Sequence, residues 1–139
     1  MAPTALIVGA GSGISASFAR ALHRDGYNVA LAGRSPDKLA DLAKEIGATT
    51  FACDATKVDD VYAVYTELDR NHGDLDVVLY NASARAPGPI TDLKPADVAN
   101  SINISAYGGF LTAQAAAKRM VPRGKGTILF TGASASVKG

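Results

Sequence analysis

The chain has a single cysteine, Cys53, and no tryptophan. A lone cysteine cannot close an internal disulfide, so stability must come from packing, and a reducing cytosol is the expected compartment. Aromatic residues are 6% of the chain, charged residues 19%, and the net charge is +1. No basic run or basic–aromatic stripe is present, which argues against nucleic acid as a partner. No apolar run approaches the ~18 residues of a membrane-spanning helix, so no membrane partner is expected. The segment Met1–Val8 lacks the charged start, long apolar core and cleavage site of a secretory signal. His23 and His72 stand far apart, on a helix surface and in a turn, and with Cys53 they make no metal-site spacing.

What is abundant is apolar sequence, 47% of 139 residues, with 14 glycines. A chain of this size buries roughly 65–70% of its unfolded surface. One domain over residues 1–139 is expected. Short apolar runs alternate with helical patterns. Ala5–Val8, Tyr27–Ala32, Thr49–Cys53, Leu75–Tyr80 and Thr127–Thr131 read as strands. Ile14–Arg24 has helical spacing. Ser35-Pro36 opens a second helix, with serine as the cap and proline at the first helical position. Val58, Val61, Tyr65 and Leu68 mark a third, and Pro95–Met120 a long fourth. Strands apolar on both faces require helices on both sides of a parallel sheet. With right-handed crossovers, the fold class is α/β, a doubly wound sheet in the order 3-2-1-4-5.

The first strand runs into Gly9-Ala10-Gly11-Ser12-Gly13-Ile14-Ser15. A strand-to-helix turn this tight needs residues without Cβ, and a diphosphate can then approach backbone N–H groups at the helix N-terminus. Gly9, Gly11, Ser12, Gly13 and Ile14 are therefore candidate cofactor-binding residues. The general dinucleotide fingerprint would place its third glycine at position 14, where Ile stands. The second strand leads into Gly33-Arg34-Ser35. An acidic residue at such a strand end favours NAD, and an arginine favours NADP. Gly33 offers no carboxylate, while Arg34 can fork onto a 2′-phosphate and Ser35 can add a hydrogen bond. The cofactor expected is NADP, ahead of NAD.

The turn Gly-x-x-x-Gly-x-Ser resembles the Gly-x-x-x-Gly-x-Gly turn of short-chain dehydrogenases/reductases, with Ser15 in the last glycine position. The resemblance covers the whole chain and implies an NAD(P)-binding Rossmann fold. Cys53-Asp54-Ala55-Thr56 is similar to the family's Asp-x-Thr region, which implies that Asp54, with Ala55, meets the adenine; Asp54 could equally cap the third helix. Tyr80-Asn81-Ala82-Ser83 matches the family's Asn-Asn-Ala-Gly at Asn81 and Ala82 and departs from it at Tyr80 and Ser83. All three of Asn81, Ala82 and Ser83 are expected beside the cofactor. Asp59-Asp60 reads as a solvated helix start.

In active members of the family a Tyr-x-x-x-Lys pair supplies the acid/base group and its partner lysine, a serine orients the substrate oxygen, and an asparagine in the long helix holds a water. The implied substrate is a small carbonyl or alcohol compound. None of the five tyrosines has lysine four positions on. The simplest expectation is an N-terminal portion ending after strand five, inactive by itself. Ser105 falls at the family's asparagine position, counted back five from Phe110 or on ten from Pro95. Asn103 lies about 200° of helix away and reads as structural. For the substrate serine, counting from the strand end favours Ser134, whereas a Ser-x-x-Gly spacing favours Ser136 before Gly139. A catalytically silent nucleotide-binding or regulatory protein on the same fold is the alternative; another Rossmann-like enzyme, such as a methyltransferase, would not call for Arg34, Asp54 and Asn81 together. An uncovered fifth strand and the Ala/Gly-rich helix lead us to expect a homo-oligomer or self-association.

Overall fold

A computed structural model describes residues 2–138 of the chain; Gly139, invoked above for the Ser136 spacing, lies outside them. The strands are β1 (Thr4–Val8), β2 (Asn28–Gly33), β3 (Thr49–Ala52), β4 (Leu75–Tyr80) and β5 (Thr127–Phe130). All pair in parallel in the order β3-β2-β1-β4-β5. The sheet is the one expected from the alternation of strands and helices.

Side-chain alternation along β1 sends Ala5 and Ile7 to one face and Leu6 and Val8 to the other. Each face is covered. Ala5, Ile7, Val29 and Leu31 pack with Ala19 and Leu22 of α1 (Ile14–Arg24) and with Leu42 and Ile46 of α2 (Ala40–Ile46). Leu6, Val8 and Val78 pack with Val61, Tyr65 and Leu68 of α3 (Val58–Asn71) and with residues of the long helix. Leu6, Ile7 and Leu31 are fully buried, each contributing about 1.5–3 kcal/mol relative to exposure.

The sequence-based boundaries need two corrections. Ser35 does stand before a helical turn, but its side chain makes no capping bond. Pro36–Leu39 is a 3-10 turn that leads into α2. The long helix is not uniform: α4 (Pro95–Ile102) and α5 (Gly108–Met120) are joined by a π-helical stretch, Asn103–Tyr107. There the Gly108 N–H bonds to the Asn103 carbonyl, five residues back instead of four.

The second half of that helix is clamped to α3. The Tyr65 hydroxyl donates to the Thr112 carbonyl at 2.8 Å. The Arg119 guanidinium lies 4.9 Å above the Tyr65 ring centre and forks onto Asp69 at 2.8 and 2.6 Å. A fork of this kind fixes direction as well as contact. It anchors α5 beside β4 and so fixes where the π-helical stretch crosses the ends of the strands. No helix among the described residues is long and apolar enough to cross a membrane.

Candidate functional site

A cleft of about 540 Å³ opens where the strands end, with walls from the ends of β1, β2, β3 and β4. It lies at the point where the chain leaves β1 for one side of the sheet and β4 for the other, the expected ligand position in an open α/β sheet.

Its floor is the turn after β1. Gly9 and Ala10 donate their N–H groups to the Ala32 carbonyl at 2.9 and 3.1 Å, which ties the turn to β2. Gly9 has φ +81°, and a Cβ there would lie 2.3 Å from the Ala82 nitrogen. Only glycine meets both conditions. Gly13, also at φ +81°, is the cap of α1, which has neither a side-chain capping bond nor an acidic residue in its first turn. The partial positive charge of that helix end is left to whatever enters the cleft. Gly11 is different: nothing lies within 4 Å of a Cβ built there. Gly9, Ala10, Gly11 and Ser12 line the cleft. Gly13 and Ile14 do not, and Ile14, the first residue of α1, is largely exposed.

The wall at β2 carries Gly33, Arg34, Ser35 and Lys38. Two cations and a hydroxyl thus share this wall, with no carboxylate from the end of β2. Sequence reasoning misses Lys38; its place four residues after Arg34, on the far side of a proline-initiated turn, is the signal that could have found it. The adjoining wall is Cys53, Asp54, Ala55 and Thr56. Asp54 does not cap α3, whose capping position is Lys57. Its carboxylate instead accepts from the Thr56 hydroxyl at 2.6 Å and the Thr56 N–H at 3.0 Å. These bonds hold the Asp54 carboxyl below the usual carboxylate range, against a smaller opposing effect of desolvation. Asp60 is no mere solvated residue: its carboxylate accepts the Asp54 N–H at 2.8 Å. Beneath them the Cys53 thiol is pushed up to about 11, first by burial and then by Asp60 and Asp54.

The remaining wall is Asn81, Ala82 and Ser83 at the end of β4, with Ile104 from the π-helical stretch. Tyr80 explains that stretch. Its hydroxyl donates to the Ile104 carbonyl, the group released when Gly108 bonds to Asn103 instead. A side chain inserted into the helical ladder is a recognised cause of such a break. The ring fits because a Cβ on Gly108 would lie 2.3 Å from the Tyr80 hydroxyl, and one on Gly109 would lie 3.3 Å from the ring. Burial pushes the Tyr80 hydroxyl up to about 12. Paired glycines inside a helix cost stability. The pair stands out in the sequence as an anomaly, but its partner on β4 does not.

Ser105 does not line the cleft. Its hydroxyl meets Ala84 just beyond Ser83, at 3.2 Å from the N–H and 3.3 Å from the carbonyl, and Ser101 donates to the same carbonyl at 2.6 Å. Asn103 is exposed on another side, in a shallow groove with Ala99 and Tyr107. Ser134 and Ser136 lie in an exposed 3-10 turn after β5, outside the cleft walls. The Ser136 hydroxyl is taken up by the Ala133 carbonyl at 2.8 Å. The His72 Nε2 lies 3.4 Å from the Thr49 hydroxyl. Among the described residues no cluster of three or more His, Cys, Asp or Glu side chains is placed to hold a metal ion.

The short chain dehydrogenase family model matches residues 3–139. The chain belongs to that family. Among similar proteins is the mitochondrial borneol dehydrogenase of Lavandula x intermedia, 33% identical over 134 residues, which are 95% of this chain and 52% of that one. A short-chain type dehydrogenase/reductase from Mycobacterium marinum superposes with a TM-score of 0.92 at 33% identity, over 97% of this chain and 57% of that one. A variant of actinorhodin polyketide ketoreductase, whose crystal structure contains NADPH, superposes with a TM-score of 0.93 at 26% identity, over 99% of this chain and 56% of that one. The chain thus spans about half the length of the short-chain dehydrogenases it matches.

Proposed function

We propose that this chain forms the cofactor-binding part of an NADP(H)-dependent oxidoreductase acting on a small carbonyl or alcohol substrate. The observation that carries the choice of NADP is the wall after β2, where Arg34, Ser35 and Lys38 line the cleft and Gly33 replaces a carboxylate. A guanidinium and an ammonium beside the adenosine ribose attract a 2′-phosphate, whereas an NAD-type site presents an acid there. The glycine turn fits a diphosphate: Gly11 leaves open space, and the first turn of α1 presents N–H groups without a competing acidic side chain. Asp54 and Ala55 would face the adenine, and Asn81, Ala82 and Ser83 the nicotinamide half. The ketoreductase structure with NADPH supports the same reading. When bound, the cofactor supplies hydride exchange at its nicotinamide ring.

Residues 1–139 would hold and orient that cofactor. The family's paired tyrosine and lysine are not among them, so these 139 residues are expected to bind nucleotide without turning over a substrate. Ser134 is the better candidate for the substrate-orienting serine, because the Ser136 hydroxyl is engaged within its own turn. Ser105 would act by holding the loop after β4 in place of a water-binding asparagine.

A second reading, nucleotide binding without redox chemistry, draws support from the engagement of Ser105 with Ala84. Reading the gene beyond codon 139 separates the two: a stop codon there favours the second, and a Tyr-x-x-x-Lys pair the first. The cofactor assignment is tested by titration. NADPH should bind at least tenfold more tightly than NADH, and Arg34→Ala should remove most of that preference, a loss of about 1.5–3 kcal/mol for a charged hydrogen bond. Equal affinity for both nucleotides in the unaltered chain would refute it.

A further inference from the structure

Ser15 is fully buried in the first turn of α1, at the position where the family turn has a glycine. Its side chain does more than fill space. The Asn81 side-chain amide donates to the Ser15 hydroxyl at 2.7 Å, and the hydroxyl donates onward, through a long 3.4 Å bond, to the Gly9 carbonyl. Gly9 belongs to the turn below the cleft, and Asn81 to the wall at β4. The serine hydroxyl therefore adds a side-chain link between two walls that also meet through the Asn81 N–H, bonded to the Val8 carbonyl at 2.8 Å, and through Gly9 packed on Ala82.

We infer that Ser15 is a positioning residue for the dinucleotide, its hydroxyl holding the glycine turn and the end of β4 at one fixed separation. The inference rests on the nucleotide reading above. Gly9 is constrained from three sides: its N–H by Ala32, its missing Cβ by Ala82, and its carbonyl by Ser15. Alanine at position 15 would pack equally well but leave the Asn81 amide without its acceptor and the Gly9 carbonyl unbonded. Chains of hydrogen bonds in a low-dielectric interior reinforce one another, so losing the central member loosens both ends. A ligand spanning both walls would register that loosening, and a ligand confined to the Arg34 side would not.

The test uses the chain with NADPH, which would reach both walls, and with adenosine 2′-monophosphate, which has no phosphate for the glycine turn and is confined to the Arg34 side. Ser15→Ala should weaken NADPH binding about tenfold, the effect of one hydrogen-bonded link, and leave adenosine 2′-monophosphate binding within about twofold. In an Asn81→Ala background the same substitution should add little, because both changes cut one bridge. Without ligand, amide exchange at Gly9, Ala10 and Gly11 should accelerate in Ser15→Ala and the Asn81 side-chain amide resonances should shift. Unchanged NADPH affinity, or an equal loss for both ligands, overturns the inference. If the unaltered chain binds neither ligand, the nucleotide reading fails on its own account. The link between the walls then stands if Ser15→Ala still accelerates exchange in the turn, and falls if it does not.

Discussion

The glycines after β1 serve different ends, and substitution separates them. Gly9 is dictated by the polypeptide itself, through its positive φ and the 2.3 Å that would separate a Cβ there from the Ala82 nitrogen. Gly9→Ala should cost about 2–4 kcal/mol, from left-handed strain and overpacking together. Gly11 has neither constraint. Gly11→Ala should change stability by no more than about 0.5 kcal/mol, yet place a methyl group where a diphosphate would approach and weaken nucleotide binding at least tenfold. Chemical denaturation and nucleotide titration of the two variants check both halves. Both glycines were legible as a turn from their spacing. Which of the two the backbone demands was not, because that depends on how closely the chain passes at Ala82. Asp60 escaped for a similar reason: its bond to the Asp54 N–H depends on how the chain folds back before α3.

At the level of elements, the long helix is where pattern reading and structure part. Its apolar spacing predicted one helix over 95–120, and helical pitch alone sets no break in it. The break comes from Tyr80 on another element, whose hydroxyl claims the Ile104 carbonyl and whose ring occupies the space left by Gly108 and Gly109. Gly108→Ala should therefore destabilise by about 1–3 kcal/mol. The cost should shrink in a Tyr80→Phe background, where the clashing oxygen is gone; a double-mutant cycle by denaturant unfolding measures the coupling. The end of β3 makes a different forecast. Burial raises the Cys53 thiol to about 11, so the folded chain retains a proton that the unfolded chain releases near 8.5. The associated stability is complete below that lower value and disappears as pH rises through 11. Thermal unfolding followed from pH 8 to 11 should show the decline, and Cys53→Ala should make it shallower.

For the molecule as a whole, strand order and the covering of both sheet faces were legible because the βα alternation leaves few topologies. The place of the cleft, at the strand ends, followed from that order. The serines after β5 were less legible, since an exposed turn imposes no register on its side chains. β5 ends the sheet, and Phe130 is 57% exposed beside a half-open Leu129. Ile102, Tyr107 and Phe110 are exposed along the long helix. An apolar strand edge invites pairing with another chain, so the 139-residue chain should associate as its concentration rises. Sedimentation velocity should show the weight-average mass climbing, and Phe130→Lys should reduce the climb.

The strand order β3-β2-β1-β4-β5 has a further consequence for how the protein is made. Each strand emerging from the ribosome finds its partner already synthesised: β2 docks on β1, β3 on β2, β4 on the vacant flank of β1, and β5 on β4. No strand has to wedge between two that are already paired. The sheet can grow outward as translation proceeds, and the cleft bounded by the first four strands can take shape before the fifth has left the exit tunnel.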